Sequence, residues 1–176
     1  MKVGLISDTH CVFGKELYDF LKDVDVIWHC GDFGNINTLL EIAAFKPLLG
    51  VYGNCDDYDI RGEVPEYRTF NAEGKRVLMI HIGGYPGHYS YKSYELIKQY
   101  RPDIFVCGHS HILRVMNDKN ILGGDDRMLV MNPGACGLMG FHPVRTALRF
   151  SIENGEVKNL ELGQWARETG DKVGKL

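Results

Sequence analysis

Asp103-Ile104-Phe105-Val106-Cys107-Gly108-His109-Ser110-His111 decides how this chain reads. A short apolar run ends abruptly in a polar Gly-His-Ser-His, the pattern of a buried strand running out into a loop. Just past a strand, two imidazoles one residue apart are free to point into the same space. Four other runs end the same way. Val3 to Ser7 leads into Asp8-Thr9-His10, and Val26-Ile27-Trp28 leads into His29-Cys30-Gly31-Asp32. Leu48 to Tyr52 leads into Gly53-Asn54-Cys55-Asp56, and Val77 to Ile80 leads into His81. Five predicted strands thus deliver a metal-capable side chain at or just past their carboxyl ends. In an open α/β sheet those ends line the crevice where ligands bind.

Between these runs the spacing predicts helices over Gly14–Asp23, Asn37–Phe45 and Tyr91–Tyr100. Their expected inward faces are Leu17, Phe20 and Leu21 in the first, Leu39, Leu40 and Ala43 in the second, and Tyr94, Ile97 and Tyr100 in the third. Asn35 or Asn37 is placed to cap the second, and Pro47 and Arg101-Pro102 end the second and third. The early strand–helix alternation argues for parallel βαβ units. Later the pattern changes to hairpins, about Glu73-Gly74, about the polar loop 117–126, and about Asn154-Gly155. So many strands in so short a chain call for two mixed β-sheets packed face to face as a β-sandwich flanked by helices, an α/β fold. One domain over residues 1–176 is expected, with a polar tail from about residue 163.

The chain has 176 residues, enough for a substantial core, and 21 glycines, above the usual share of about 7%. Many of those glycines sit beside the polar motifs, which suggests tight loops around a site. A net charge of −3 gives no general attraction to a nucleic-acid polymer. There is no apolar run of signal or membrane-spanning length, so a cytoplasmic protein with no membrane partner is expected. Five cysteines with no Cys-x-x-Cys argue against a disulfide framework or a zinc ribbon.

The candidate ligands are Asp8, His10, Asp32, Asn54, His81, His109 and His111. Taken singly, Asp8 and Asp32 read as turn aspartates, Asn54 as a left-handed turn residue and His81 as a strand-end histidine; the ordered set makes them ligands. All offer oxygen or imidazole nitrogen, which suits two divalent transition-metal ions, manganese first, with Fe, Zn, Ni or Co fitting the same donors. Seven ligands are too many for one ion and suit two that share a carboxylate. Such pairs activate a bridging water as the nucleophile and offset charge on a phosphoryl group in flight.

Asp-x-His, Gly-Asp, Gly-Asn-x-Asp, a lone His and Gly-His-Ser-His, in this order, resemble the calcineurin-like metallophosphoesterase superfamily. Spacing, length and Asn132-Pro133-Gly134 are similar to its small bacterial and archaeal phosphodiesterase branch. The resemblance runs from Lys2 to about Leu162. It implies that Asp8, His10 and His111 hold one metal, that Asn54, His81 and His109 hold the second and take part in catalysis, and that Asp32 bridges them. It implies hydrolysis of a small phosphodiester by a metal-bridging hydroxide. Where many superfamily phosphatases carry a histidine thought to protonate the leaving group, this chain has Cys55, as the small branch often does. The general acid is therefore unassigned.

For substrate binding the candidates are Asn54, Cys55, His88 and Arg145, a loop histidine and a guanidinium fork suited to phosphate. His88 reads equally as a solvated loop residue, and Arg145 equally as the partner of a surface carboxylate. Asp56 reads as structural, and His29 as a packed strand histidine. The expected partner is a small phosphate ester, and exposed edge strands leave room for a homo-oligomer. The rivals are a phosphomonoesterase, a mononuclear zinc hydrolase that leaves several ligands idle, and a non-catalytic protein-binding scaffold. The retromer subunit resembling this family uses the fold in that last way, and a fold alone does not fix a function.

Overall fold

Successive side chains in the central strands alternate between two apolar environments, so both faces of each sheet are covered. In β1 (Lys2–Ile6), Val3 and Leu5 face one core while Ile6 faces another. In β5 (Lys75–Ile80), Val77 and Met79 face the first core while Leu78 and Ile80 face a third. The computed structural model describes residues 1–124 and 126–167. Within them the chain forms two five-stranded mixed sheets and a two-stranded ladder.

The first sheet has the order β12-β11-β1-β2-β3. It uses β2 (Val26–His29), β3 (Leu48–Gly50), β11 (Val144–Glu153) and β12 (Glu156–Ala166) beside β1. The second has the order β4-β5-β8-β10-β9. Its other strands are β4 (Tyr67–Ala72), β8 (Ile104–Val106), β9 (Leu113–Asp118) and β10 (Met128–Pro133). Strands β1, β2 and β3 run parallel, as do β5, β8 and β10, and the hairpin strands close each sheet antiparallel. Helices α1 (Lys15–Leu21), α2 (Ile36–Phe45) and α3 (Tyr58–Glu63) cover the outer face of the first sheet, and α4 (Tyr91–Tyr100) covers that of the second. The two sheets packed face to face, with helices outside, are the expected sandwich.

Local differences from the sequence reading have simple causes. The buried face of α2 is Thr38, Leu39 and Ile42, and Leu40 and Ala43 are exposed; a stripe of Leu39, Leu40 and Ala43 is one residue out of phase. In α4 the inward residues are Ser93, Leu96 and Ile97, while Tyr94 lies on the exposed side. Helix α3 was not anticipated, because six residues containing Gly62 carry no readable periodicity; Asp57 caps it by accepting from the Ile60 N–H at 3.2 Å. A small ladder of β6 (Gly84–Tyr85) and β7 (His88–Tyr89) forms in the expected loop. Strand β12 continues past residue 163 to Ala166, where Trp165 packs edge-on against Phe20. Residues 168–176 lie outside the described residues.

Two features fix the geometry at the carboxyl ends of the parallel strands. Trp28 is fully buried between the sheets, edge-on to Phe70 of β4 at 5.0 Å and to Phe150 of β11 at 5.7 Å. Asp56 staples the loops after β2 and β3. Its carboxylate accepts the N–H groups of Asp32 (2.9 Å), Gly34 (3.0 Å) and Gly53 (2.7 Å). This is the structural role its sequence position suggests.

Replacing Trp28 by Ala is expected to cost about 3–5 kcal/mol in chemical denaturation, through a cavity between the sheets. Trp28→Phe costs clearly less, since a ring remains and a buried indole N–H without a partner disappears. Asp56→Ala strands three main-chain N–H donors and is expected to cost about 3 kcal/mol or more; Asp56→Asn, which keeps one acceptor oxygen, costs less. Equal costs for the two Asp56 variants would contradict the staple.

Candidate metal centre

Five of the six parallel strands deliver candidate ligands at one place. After β1 come Asp8 and His10, after β2 Asp32, after β3 Asn54, after β5 His81, and after β8 His109 and His111. Left-handed backbone turns these side chains inward. Among the described residues, ten non-glycine positions have positive φ, and five are candidate ligands: Asp8, His10, Asp32, His109 and His111. Such positions cost about 1–3 kcal/mol each and persist where the surroundings over-determine them. Glycine is required beside them. A Cβ on Gly53 would lie 2.0 Å from Asp32 Oδ1, and Gly31, at φ +96°, leaves room for the His81 ring.

The side chains converge, ring nitrogens and carboxylate oxygens facing one another. Nε2 of His10 and Nε2 of His111 are 3.4 Å apart, and His111 Nε2 is 3.1 Å from Asp8 Oδ1. Asp8, His10 and His111 together offer three ligand atoms to one ion. Asp8 Oδ1 is buried and has no hydrogen-bond partner. On the other side, His81 Nδ1 lies 2.7 Å from the Cys30 carbonyl and must donate its hydrogen there. In the neutral tautomer its Nε2 is then a bare lone pair, 3.3 Å from Asp32 Oδ2 and 3.2 Å from Asn54 Oδ1. In that neutral state three acceptors face each other, and either a second proton on His81 Nε2, donated to Asp32, or a cation must come between them. A bound cation relieves this, and a His N–H to carbonyl bond of this kind is how proteins orient a metal-binding imidazole. Asp8, Asp32 and His81 form a second possible ligand group. His109 sets its ring edge-on to His81 at 5.3 Å, and its main-chain N–H donates to Asp8 Oδ2 at 3.2 Å.

The electrostatics follow from that crowding. Burial alone would raise the Asp32 pKa, but the His81 hydrogen bond and charge and the Cys55 N–H at 2.9 Å hold it well below the usual carboxylate range. Burial disfavours a charged His81, yet the hydrogen bond to Asp32 and the Asp8 and Asp32 charges outweigh it and raise its pKa. His109 is pushed down, by burial and then by His81, so its neutral form is favoured. His29, behind the site, is lowered to about 3 by burial and then by His81. It stacks on Phe33 at 3.7 Å, accepts the Gly31 N–H on Nδ1, and meets the Thr9 hydroxyl with Nε2. It is the packed histidine expected of its strand.

All seven expected ligands therefore lie at the same strand ends. The substrate-binding candidates divide. Asn54 and Cys55 are at the cluster, with Cys55 Sγ among the possible ligand atoms beside His10 and Asp32. Burial, then the Asp32 charge, raises the Cys55 pKa and keeps it a thiol. His88 is exposed on β7 beside Tyr85, with ring centroids 4.9 Å apart. For Arg145 the structure favours the second reading, a carboxylate's partner, over a phosphate ligand. Arg145 is buried, ion-paired with Glu16 of α1, and donates to the Cys136 carbonyl at 3.4 Å, so its charge is already spent inside the fold. Arg61 on α3 does lie near the ligands; its Nε donates to the Asp56 carbonyl at 2.8 Å and its Nη2 lies 3.5 Å from the Asn54 carbonyl. Sequence reasoning missed it because it missed α3; Asp57 as a helix cap was the available signal.

Comparison with known proteins agrees with this geometry. Residues 1–155 match the calcineurin-like phosphoesterase superfamily domain. A probable metallophosphoesterase of Methanothermobacter thermautotrophicus is 32% identical over 143 residues, 77% of each chain. One from Mycoplasma pneumoniae is 30% identical over 165 residues, covering 90% of this chain and 94% of that one. In shape, the chain resembles wild-type Vps29 of Entamoeba histolytica complexed with zinc, with a TM-score of 0.69 at 15% identity over 96% of this chain and 100% of that one. Ordered motifs, a two-sheet fold and a matching domain over most of its length lead to one conclusion: the chain belongs to the calcineurin-like phosphoesterase superfamily.

Proposed function

We propose that the protein is a dinuclear metal-dependent phosphodiesterase. The observation that carries this reading is the convergence of carboxylate oxygens and imidazole nitrogens at one place, above all the buried Asp8 Oδ1 beside His111 Nε2 at 3.1 Å. Asp8, His10 and His111 would hold one ion, Asn54, His81 and His109 the other, and Asp32 would serve both. Manganese is the first choice, with Fe, Zn, Ni or Co suited to the same donors. When bound, the two ions supply Lewis acidity and an activated water.

The chain's own residues do the rest. Asn54 turns Oδ1 toward His81 and Nδ2 toward Cys55 Sγ, 3.3 Å away on the exposed side. From there the amide N–H can donate to a phosphoryl oxygen and favour the transition state, where that oxygen gains charge. His109 keeps a neutral imidazole available, and the Cys30 carbonyl holds the His81 ring in one tautomer. Cys55 stays protonated but is a weak acid. A site without a strong proton donor favours esters with good leaving groups and a single negative charge, which is why the diester is preferred here to the monoester. The likeness to Vps29 keeps a second reading in view, a protein-binding scaffold with a retained metal site.

Chelated protein restored with Mn, Fe, Co, Ni, Zn or Mg is expected to hydrolyse bis(4-nitrophenyl) phosphate faster than 4-nitrophenyl phosphate, with a transition metal giving the highest rate. His109→Ala is expected to lower the diester rate by about 10²–10³-fold, the scale of losing one transition-state contact. Two ions bound per chain with no turnover would favour the scaffold, and a faster monoester rate would make the protein a monoesterase.

A further inference from the structure

Beside the proposed second metal position, Asn54 and His81 form one wall of a cleft of about 380 Å³. Tyr52, Arg61, Ile82 and Lys92 are among its other lining residues. Its volume lies in the range of small-molecule sites, which leaves room for more than the phosphoryl group. The two cations in it differ. Lys92 is ion-paired with Glu66, which lines the same cleft. Arg61 makes no ion pair among the described residues. Its orientation is fixed all the same. The guanidinium lies 4.9 Å over the Tyr52 ring, and its bonds to the Asp56 and Asn54 carbonyls use two of its five N–H donors. The remaining donors and the whole charge are unspent. A pre-oriented guanidinium with free donors is matched by a planar or tetrahedral anion, which it can grip bidentately.

We propose that Arg61 binds a second anionic group on the substrate, a phosphate or carboxylate carried by the organic part of the ester. This rests on the phosphodiesterase reading and narrows it: the preferred substrate is a diester with an additional negative charge some way from the scissile phosphorus. The scissile group itself faces the Asn54 and His81 side chains. Arg61 stands behind the Asn54 main chain and faces the volume where the organic group must lie. Tyr52 and Ile82 give that group an apolar wall.

A matched pair of probes tests this: the 4-nitrophenyl ester of thymidine 5′-phosphate with and without a 3′-phosphate. A third probe with a carboxylate at the 3′ position separates the two anion sources. Wild-type protein is expected to prefer the charged probes in kcat/KM by about 10–100-fold, mainly through KM. Arg61→Ala should erase that preference while changing the probe without the 3′ anion less than about threefold, with metal content and melting temperature close to wild type. Arg61→Lys should restore part of it, since the charge returns without the fork. An independent readout needs no turnover: calorimetric binding of thymidine 3′,5′-bisphosphate against thymidine 5′-phosphate to metal-loaded protein. Tighter bisphosphate binding that Arg61→Ala abolishes would uphold the anion site even if no probe is hydrolysed, and the diesterase reading alone would fall. No charge preference in the wild type, or equal losses on all probes in Arg61→Ala, would overturn the proposal.

Discussion

Like-natured groups are forced together at the carboxyl ends of the parallel strands, and most of the architecture can be understood as the means of holding them there. Two buried carboxylates and several imidazoles crowd into one space, where the Asp8 Oδ1 oxygen is left without a hydrogen-bond partner. Five of those residues also sit in left-handed backbone. Such a cluster is unfavourable by itself and persists only if the surrounding structure leaves it no alternative. The sandwich supplies that constraint. Val3, Leu5 and Trp28 from one sheet and Val77, Met79 and Val106 from the other bury a common core directly behind the loops. The register of β1 on β2 and of β5 on β8 then brings their ends to the same level.

The loops themselves are tied to one another more than to the solvent. Asp8 N–H bonds the Gly31 carbonyl, His10 N–H the Asp32 carbonyl, and Cys11 N–H the Phe33 carbonyl, so the loops after β1 and β2 continue the sheet's pairing beyond its end. Asp56 links the loop after β3 to the same unit, and Gly108 N–H bonds the His81 carbonyl across the second sheet. Each ligand-bearing loop is thus held by a neighbour on the same or an adjacent strand. Preorganisation of this kind lets a site hold charge without rearranging when a ligand arrives.

The site was legible in the sequence to the extent that its chemistry is carried by residue type at strand ends. A period-2 or fully apolar run announces a strand, and an Asp, Asn or His where it stops announces what the strand delivers. Asn35 and the Asn154-Gly155 turn were legible for the same reason, since capping and tight turns depend on local chemistry. What depends on the fold's third dimension was not. Arg145 and Arg61 are equivalent as letters, but one is neutralised by Glu16 from a distant helix and the other is held over Tyr52 beside the ligands. The phase error in α2, with Leu40 outside and Ile42 inside, has the same origin. Apolar residues outnumber the inward positions there, and only packing against the sheet chooses among them.

A metal-binding cluster and a catalyst are different claims, and the likeness to zinc-complexed Vps29 makes the difference concrete. Donor atoms in the right places select a cation; they do not by themselves select a substrate. Catalysis also needs a surface that binds the reacting group's substituents, because binding energy from the non-reacting part is what orients phosphorus against its nucleophile. In the proposed reading the cleft beside Asn54 and His81 would be such a surface, with an apolar wall at Tyr52 and Ile82 and the Arg61 charge at its edge. An exposed guanidinium that makes no ion pair among the described residues, yet is held by two main-chain carbonyls beside the site, serves a ligand-binding reading and is not required by a bare scaffold. The feature makes physical sense as half of an interaction whose other half arrives with the ligand.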